Sequence, residues 1–477
     1  MKKLLQHFDM LSMEEIKMIE STAFKILAEV GVKVDNAKVI EVLESSGARA
    51  DAKAGKVFFD RKYMETFLAG VEGIDQAIDQ NVRASGGIGG YGLNYFDPES
   101  GTVKKNTLKS AENIIKLADY LPNISTIGLG AVPGDIPAVL IPLYGRYLLW
   151  RHSENKWAGD GLIWDIKLCP YIVEMSEIMK QDTVRTKKPF LQKYLNASIF
   201  LISPLHFARE EAEQFVWFWE RGHYIHLDIM TTMGANAPVT IAGALAKHLA
   251  EGFFACILDR VFYGRKQLWL TLYGAPIDMR NGSQPYGRPE TQLMGIAGAQ
   301  ILRYYKSAAG AGPAANTTAK ADDMESGMNL ATGAMLGLLS SGGPSMDMDL
   351  LSVDEIISPV KMVLANEYAN YVNRLLDGFK INEDTLAFDV MKEVGPGGLF
   401  MDHEHTVTHF KEEIWLPEFM SHEMMASWLN SGKKTIVEKA GEKVLDVWKT
   451  YHPKGIADET EKKLLGVIEK ARRELVR

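Results

Sequence analysis

Residues 403–409 read His-Glu-His-Thr-Val-Thr-His. The i, i+4 spacing puts His405 and His409 on one face of a helix, where two imidazoles can share a zinc ion. No cysteine stands nearby to complete a thiolate set, and histidines satisfied within the fold are the alternative. No metal is assigned, and His403 and His405 are read instead as candidate catalytic residues. Asp228 joins them: it falls at the end of an apolar run, where it can act as a base or lie buried and hydrogen-bonded.

A second group of residues suits binding. The segment Gly-Gly-Ile-Gly-Gly-Tyr-Gly-Leu-Asn-Tyr-Phe-Asp at 86–97 lacks the strand-to-helix spacing of a phosphate cradle. It reads as a loop at a domain junction, or as a lid presenting Tyr91, Tyr95 and Phe96. Trp164 and Tyr273 each follow or end a strand-like run. Aromatic faces of this kind can hold a cation that has no hydrogen to donate. Arg280 follows the same run as Tyr273, where it can meet a carboxylate or pair with Asp278 or Glu290. The segments 310–318 and 342–344 carry little side chain, so Gly310, Gly312, Gly342 and Gly343 let a large flat ligand or a partner's backbone come close. G-x-S-x-G, H-E-x-x-H, the Walker loop and the dinucleotide fingerprint are all missing, which leaves hydrolase, kinase and dehydrogenase readings unsupported.

The elements that must position these residues alternate along the chain. Strand-like apolar runs occur at 124–132, 156–159, 189–196, 224–230, 268–273, 307–310 and 336–341. Helical periodicity fills the intervals at 108–120, 166–180, 208–221, 238–261, 290–304 and 323–335. Such alternation implies parallel strands joined by right-handed crossovers. Seven units are visible, and 398–401, after a helix near 384–393, is the expected eighth strand. The expected fold is α/β, a (β/α)8 TIM barrel over 86–410, with a helical N-terminal region over 1–85 and a helical C-terminal tail over 411–477. An open doubly wound sheet is the alternative. In a barrel the functional face lies at the carboxyl ends of the strands.

Composition narrows the classes. The 477 residues carry a formal net charge of −8 and contain no run of five lysines and arginines, so neither nucleic acid nor an anionic membrane is an expected partner. Two cysteines, Cys169 and Cys256, are no disulfide framework and suit a reducing compartment. The first ten residues hold no apolar core of a signal peptide, and apolar stretches are expected to break before the roughly 18 residues of a membrane span. Cytoplasmic residence follows as an expectation.

Five blocks, in order, carry a resemblance. They are IESTAFKILAEVGVKVDNAKVIEVLESSGARAD from Ile19, FDPESGTVKKNTLKSAENIIKLADYLPNI from Phe96, GANAPVTIAGALA, GAPIDMRNGSQPYGRPE, and GPGGLFMDHEHTVTHFKEEIWLPE over 395–418. Together they resemble the trimethylamine methyltransferase family. The resemblance implies a (β/α)8 barrel that delivers a methyl group from a methylamine to the cob(I)alamin of a separate corrinoid protein, with no tightly bound cofactor of its own. A homo-oligomer is expected. The trimethylamine-using branch carries pyrrolysine inside the barrel, whereas this chain has standard residues throughout. The resemblance then points to the branch that demethylates quaternary amines such as glycine betaine. A methyl on a positive nitrogen leaves behind a neutral tertiary amine, so the protein's task is orientation and desolvation. A metal-dependent lyase or hydrolase built on Asp228 and the histidines, and a betaine-binding protein, are the alternatives.

Overall fold

The computed structural model describes residues 8–74, 81–187, 194–309, 312–313, 315–341 and 345–476. Several helices begin where the sequence supplies caps. Asn36 and Asp60 accept the backbone N–H groups of Val39 and Tyr63, opening Ala37–Ser45 and Arg61–Ala69. Ser12 and Glu15 form a capping box for Met13–Lys25, which passes into a π turn that Gly31 ends at φ 73°. Leu108–Tyr120, Cys169–Lys180, Arg209–Glu220 and Pro289–Tyr304 lie where the periodicity puts them.

Ile241–Tyr263 corrects one expectation. It is long and apolar enough to cross a membrane by length and composition, yet 83% of that window is buried within this fold. It also carries the ion pair Lys247–Glu251, closed at 2.8 Å and almost wholly inside.

Short parallel strands follow one another side by side. Ser345–Asp347 pairs with Ser85–Ile88, that strand with Ile124–Ile127, and that in turn with Trp157–Ala158. A parallel bridge between Leu162 and Ser198 leads on to Ser198–Phe200, which pairs with His226–Asp228. Thr232–Met233 runs parallel to Ala275–Pro276. Residues 268–272 and 307–309 meet where the Ala308 N–H donates to the Leu268 carbonyl at 2.7 Å and the Leu270 N–H to Ser307 Oγ at 3.0 Å. Among the described residues the ladders do not close into a ring. The fold is α/β, with several parallel sheets.

Five strand expectations and one loop expectation need correction. Residues 268–273 and the described part of 307–310 meet as above but form no strand. Residues 336–341 are the last turns of the helix Met324–Ser341, and the strand follows it at Ser345–Asp347. Residues 398–401 form exposed turns and supply no strand. The run 189–196 lies largely outside the described residues, and its strand begins at Ser198. The glycine segment 86–97, expected as a loop or a lid, is not simple loop: it runs through the strands Ser85–Ile88 and Asn94–Asp97. Glycine is required there by crowding. A Cβ on Gly86 would sit 2.2 Å from the Met346 carbonyl oxygen, and one on Gly90 1.9 Å from Leu350 Cδ1. The N-terminal region is also less purely helical than expected. Val32–Val34, Lys56–Phe58 and Arg49–Asp51 form a sheet with His206–Phe207 at its edge.

Helices from the N-terminal and C-terminal regions are both sewn into the core. Ile16, Leu27 and Phe59 share one apolar cluster with Phe253, Phe254, Leu464 and Ile468. Val444 and Val447 belong to a second cluster with Ile114, Met346 and Val363. The stretch 379–417 differs: its helices Glu383–Leu386, Phe388–Val394 and Glu404–Glu413 contain no buried residue.

Candidate functional site

Because the strands run parallel, their carboxyl ends share one face, and titratable side chains gather there. Asp228 ends His226–Asp228. His226 Nε2 lies 3.2 Å from its carboxylate, while His226 Nδ1 lies 3.2 Å from the Tyr224 hydroxyl, which itself donates to Asp259 at 3.0 Å. Asp228 is thus one end of a line of polar side chains along the strand. Tyr273 stands close by. Enclosure, and then the Asp228 charge, push its phenol up to about 12. Its ring meets His248 edge-on at 5.7 Å. His248 is fully buried, which presses its pKa down to about 3, and its Nδ1 lies 2.9 Å from Thr231 Oγ1. The Lys247 ammonium bridges Thr231 and Glu251, and Glu251 in turn accepts from Ser203 and the Leu205 N–H. This buried network fixes the wall on which Tyr273 rests.

Across from Tyr273, the strand Ser345–Asp347 delivers a carboxylate cluster. Lys361, 2% exposed, reaches Asp347 Oδ2 at 3.4 Å and donates to the Leu350 carbonyl at 2.6 Å. Asp349 is completely buried. Burial, and then the Asp347 carboxylate, hold its proton well above the usual carboxylate range. The two acids therefore behave as a pair, and enclosure beside Asp347 favours the neutral form of Asp349. Asp354 is pushed up to about 6 by burial and by Asp347, with a hydrogen bond from Tyr286 opposing. Burial, then the Asp354 carboxylate, raise the Tyr286 phenol, which also feels Tyr273 and Asp347. The backbone carrying this group is unusual. Ser352, Val353 and Asp354 have φ of 56°, 56° and 65°, a left-handed run that L-residues rarely adopt.

A third cluster follows Trp157–Ala158. Asp160 accepts from the Tyr91 hydroxyl and faces Arg146 at 3.7 Å, with both charged side chains 1% exposed. Arg146 also donates to the Pro142, Leu162 and Asn196 carbonyls. Burial and the Asp160 charge raise the Tyr91 phenol, and Tyr91 itself has φ 59°.

The residues expected from the sequence are thus distributed unevenly. Asp228 and Tyr273 come together, and Tyr91 belongs to the Asp160 cluster. Tyr95 and Phe96 lie half-buried on Asn94–Asp97, in register with Lys104 and Val103. Trp164 is 41% exposed on the segment after Trp157–Ala158. Arg280 forks onto Asp278, its Nε 2.9 Å from Oδ1, which is the pairing weighed against a substrate contact. His403 caps Glu404–Glu413 by accepting the His405 N–H at 3.0 Å, and lies 3.5 Å from Glu393. The His405 and His409 rings lie with centroids 4.2 Å apart at a 39° tilt, and His405 Nε2 lies 3.4 Å from the Asp384 carbonyl oxygen. These contacts stay within 384–413. Gly310, Gly342 and Gly343 fall outside the described residues, whereas Gly312 packs so that a Cβ would meet Ser341 Oγ at 3.0 Å. Sequence reasoning missed Tyr286, Asp347, Asp349, Asp354, Lys361 and the Asp160–Arg146 pair. The one available signal was the acid-rich stretch 347–354 directly after a strand.

Comparison with known proteins places the sequence in a family. The sequence profile of the trimethylamine methyltransferase (MTTB) family matches residues 1–476. The glycine betaine methyltransferase of Desulfitobacterium hafniense (strain Y51) is 25% identical over 485 residues, covering 98% of both chains. The trimethylamine methyltransferase MttB of Desulfitobacterium hafniense (strain DSM 10664 / DCB-2) is 22% identical, covering 96% of this chain and 92% of its own. That of Methanosarcina thermophila is 23% identical, covering 93% of each. With its whole length matched, this chain belongs to the trimethylamine methyltransferase family and is a methyltransferase.

Proposed function

We propose that this protein takes a methyl group from a quaternary amine of the glycine betaine class and passes it to a corrinoid held by a separate protein. One observation carries the reading: Tyr273 and Tyr286 converge with Asp228, Asp347 and Asp354 on the face where the parallel strands end. A quaternary ammonium cannot donate a hydrogen bond, so aromatic faces and carboxylates must offset its lost hydration. Tyr91, Tyr95, Phe96 and Trp164 are proposed to line the approach, and Arg280, 79% exposed, to meet the substrate's carboxylate at the entrance. Asp228 is assigned the cation's nearest charge, and Gly312 the edge toward the corrinoid. The acceptor, when bound, supplies the nucleophile, while the chain's own residues exclude water and aim the methyl.

The parallel pairs support a closed (β/α)8 barrel whose seam runs between 309 and 345, a span that includes undescribed residues. We place the protein in the cytoplasm as a homo-oligomer. Cys169 and Cys256 are buried, with thiols pushed up to about 12, and suit a reducing milieu. The test supplies purified protein and cob(I)alamin with glycine betaine, proline betaine, carnitine, choline or trimethylamine, and follows methylcobalamin absorbance. One quaternary donor is expected to turn over at least about a hundredfold faster than trimethylamine, a difference of roughly 2.7 kcal/mol. Silence with every quaternary amine ends the proposal.

A further inference from the structure

We propose that Asp384, His405 and His409 form a zinc site that staples the exposed segment 379–417. Their ligand atoms all lie within 4.8 Å of one another, and His409 Nε2 is 3.5 Å from Asp384 Oδ2. Ligands around a tetrahedral zinc at about 2.0–2.1 Å are roughly 3.3 Å apart, so small side-chain adjustments close the set. The i, i+4 histidines already share one face of Glu404–Glu413, their ring centroids 4.2 Å apart. Two imidazoles and one carboxylate form a mixed nitrogen and oxygen set, which favours zinc over magnesium or calcium and leaves a fourth position for water.

The segment needs such a tie. Glu383–Leu386 is a four-residue helix with no buried side chain, and isolated helices that short do not persist. It is held to Glu404–Glu413 through the histidine contacts and the Lys380–Glu412 pair at 2.5 Å, in which both side chains are more than half exposed. A metal joining 384 to 405 and 409 closes the intervening loop and orders both helices together. The site is structural and separate from the cluster at Tyr273, so the proposal does not depend on the substrate.

The test strips the full-length protein with a chelator, dialyses it, and titrates zinc ion by calorimetry. One zinc per chain is expected to bind in the micromolar range or tighter. His405→Ala and His409→Ala should each weaken binding at least about a hundredfold, while circular dichroism reports the same unfolding temperature for all zinc-free proteins. Hydrogen exchange of 383–413 should slow on adding zinc to wild type and stay unchanged in His409→Ala. Zinc affinity equal in wild type and both variants, or no slowing of exchange at 383–413, overturns the site.

Discussion

Burial and the Asp347 carboxylate push the Asp354 carboxyl up to about 6. Below that value it is neutral and no longer attracts a cation; above it the charge is present. The KM for a quaternary amine is therefore expected to rise about tenfold between pH 7 and pH 5, since one pH unit below a pKa leaves about a tenth of the group ionised. Asp354→Asn should show a raised KM at pH 7 and lose the slope. An unchanged slope would move the titration to another group. Tyr273 makes a second test. Tyr273→Phe keeps the aromatic face and should hold KM within about threefold. Tyr273→Ala removes about 1–2 kcal/mol of cation–π attraction, or roughly five- to thirtyfold in KM. Equal losses in both variants would assign the phenol, and not the ring, to the substrate.

At the scale of elements, helices were legible and strands much less so. Leu108–Tyr120 has thirteen residues of 3.6-residue periodicity and a Thr107 cap, and its bounds were readable directly. The parallel strands span only two to four residues, too short to develop a period. Half of Ser85–Ile88 is glycine, and its apolar signal is weak because Met346 and Thr126 occupy the space a side chain would need at Gly86 and Gly87. The same logic hid the site: Asp347 and Asp354 are distant from Tyr273 and Tyr286 in sequence, and only the fold makes them neighbours. Gly86→Ala should therefore lower the thermal unfolding midpoint by several degrees, from about 1–3 kcal/mol of overpacking. Gly466→Ala is the control. That position is exposed inside Asp458–Leu475 with nothing within 4 Å of a Cβ, so it should gain up to about 1 kcal/mol. If Gly86→Ala unfolds no earlier than wild type, close strand approach does not explain the glycine.

For the whole molecule, the C-terminal helix Asp458–Leu475 is a structural clasp. Glu461 accepts from Tyr147 at 2.7 Å and from Arg151 at 3.0 Å, while Glu474 accepts from Tyr171 at 2.5 Å. Leu464, Val467, Ile468 and Ala471 are buried in the cluster that also holds the N-terminal helix. A chain ending at residue 456 exposes that apolar face, and is expected to appear in the insoluble fraction or to unfold well below wild type. A soluble truncated protein with the wild-type unfolding temperature would make the helix dispensable.

The left-handed run Ser352–Val353–Asp354 bears on how this protein can evolve. Three such residues in succession cost on the order of 1–3 kcal/mol each, and a β-branched valine bears the greatest steric penalty. Random mutation should thus find easy gains in robustness here, because Val353→Gly relieves the backbone. Those gains would loosen the turn that aims Asp354 toward Tyr286. Selecting a mutant library for heat resistance alone should therefore enrich changes at 353 that raise KM, whereas selecting for growth on the methylated amine should purge them. Heat-selected variants at 353 with wild-type KM would show that the turn's shape is an accident of ancestry and free to drift.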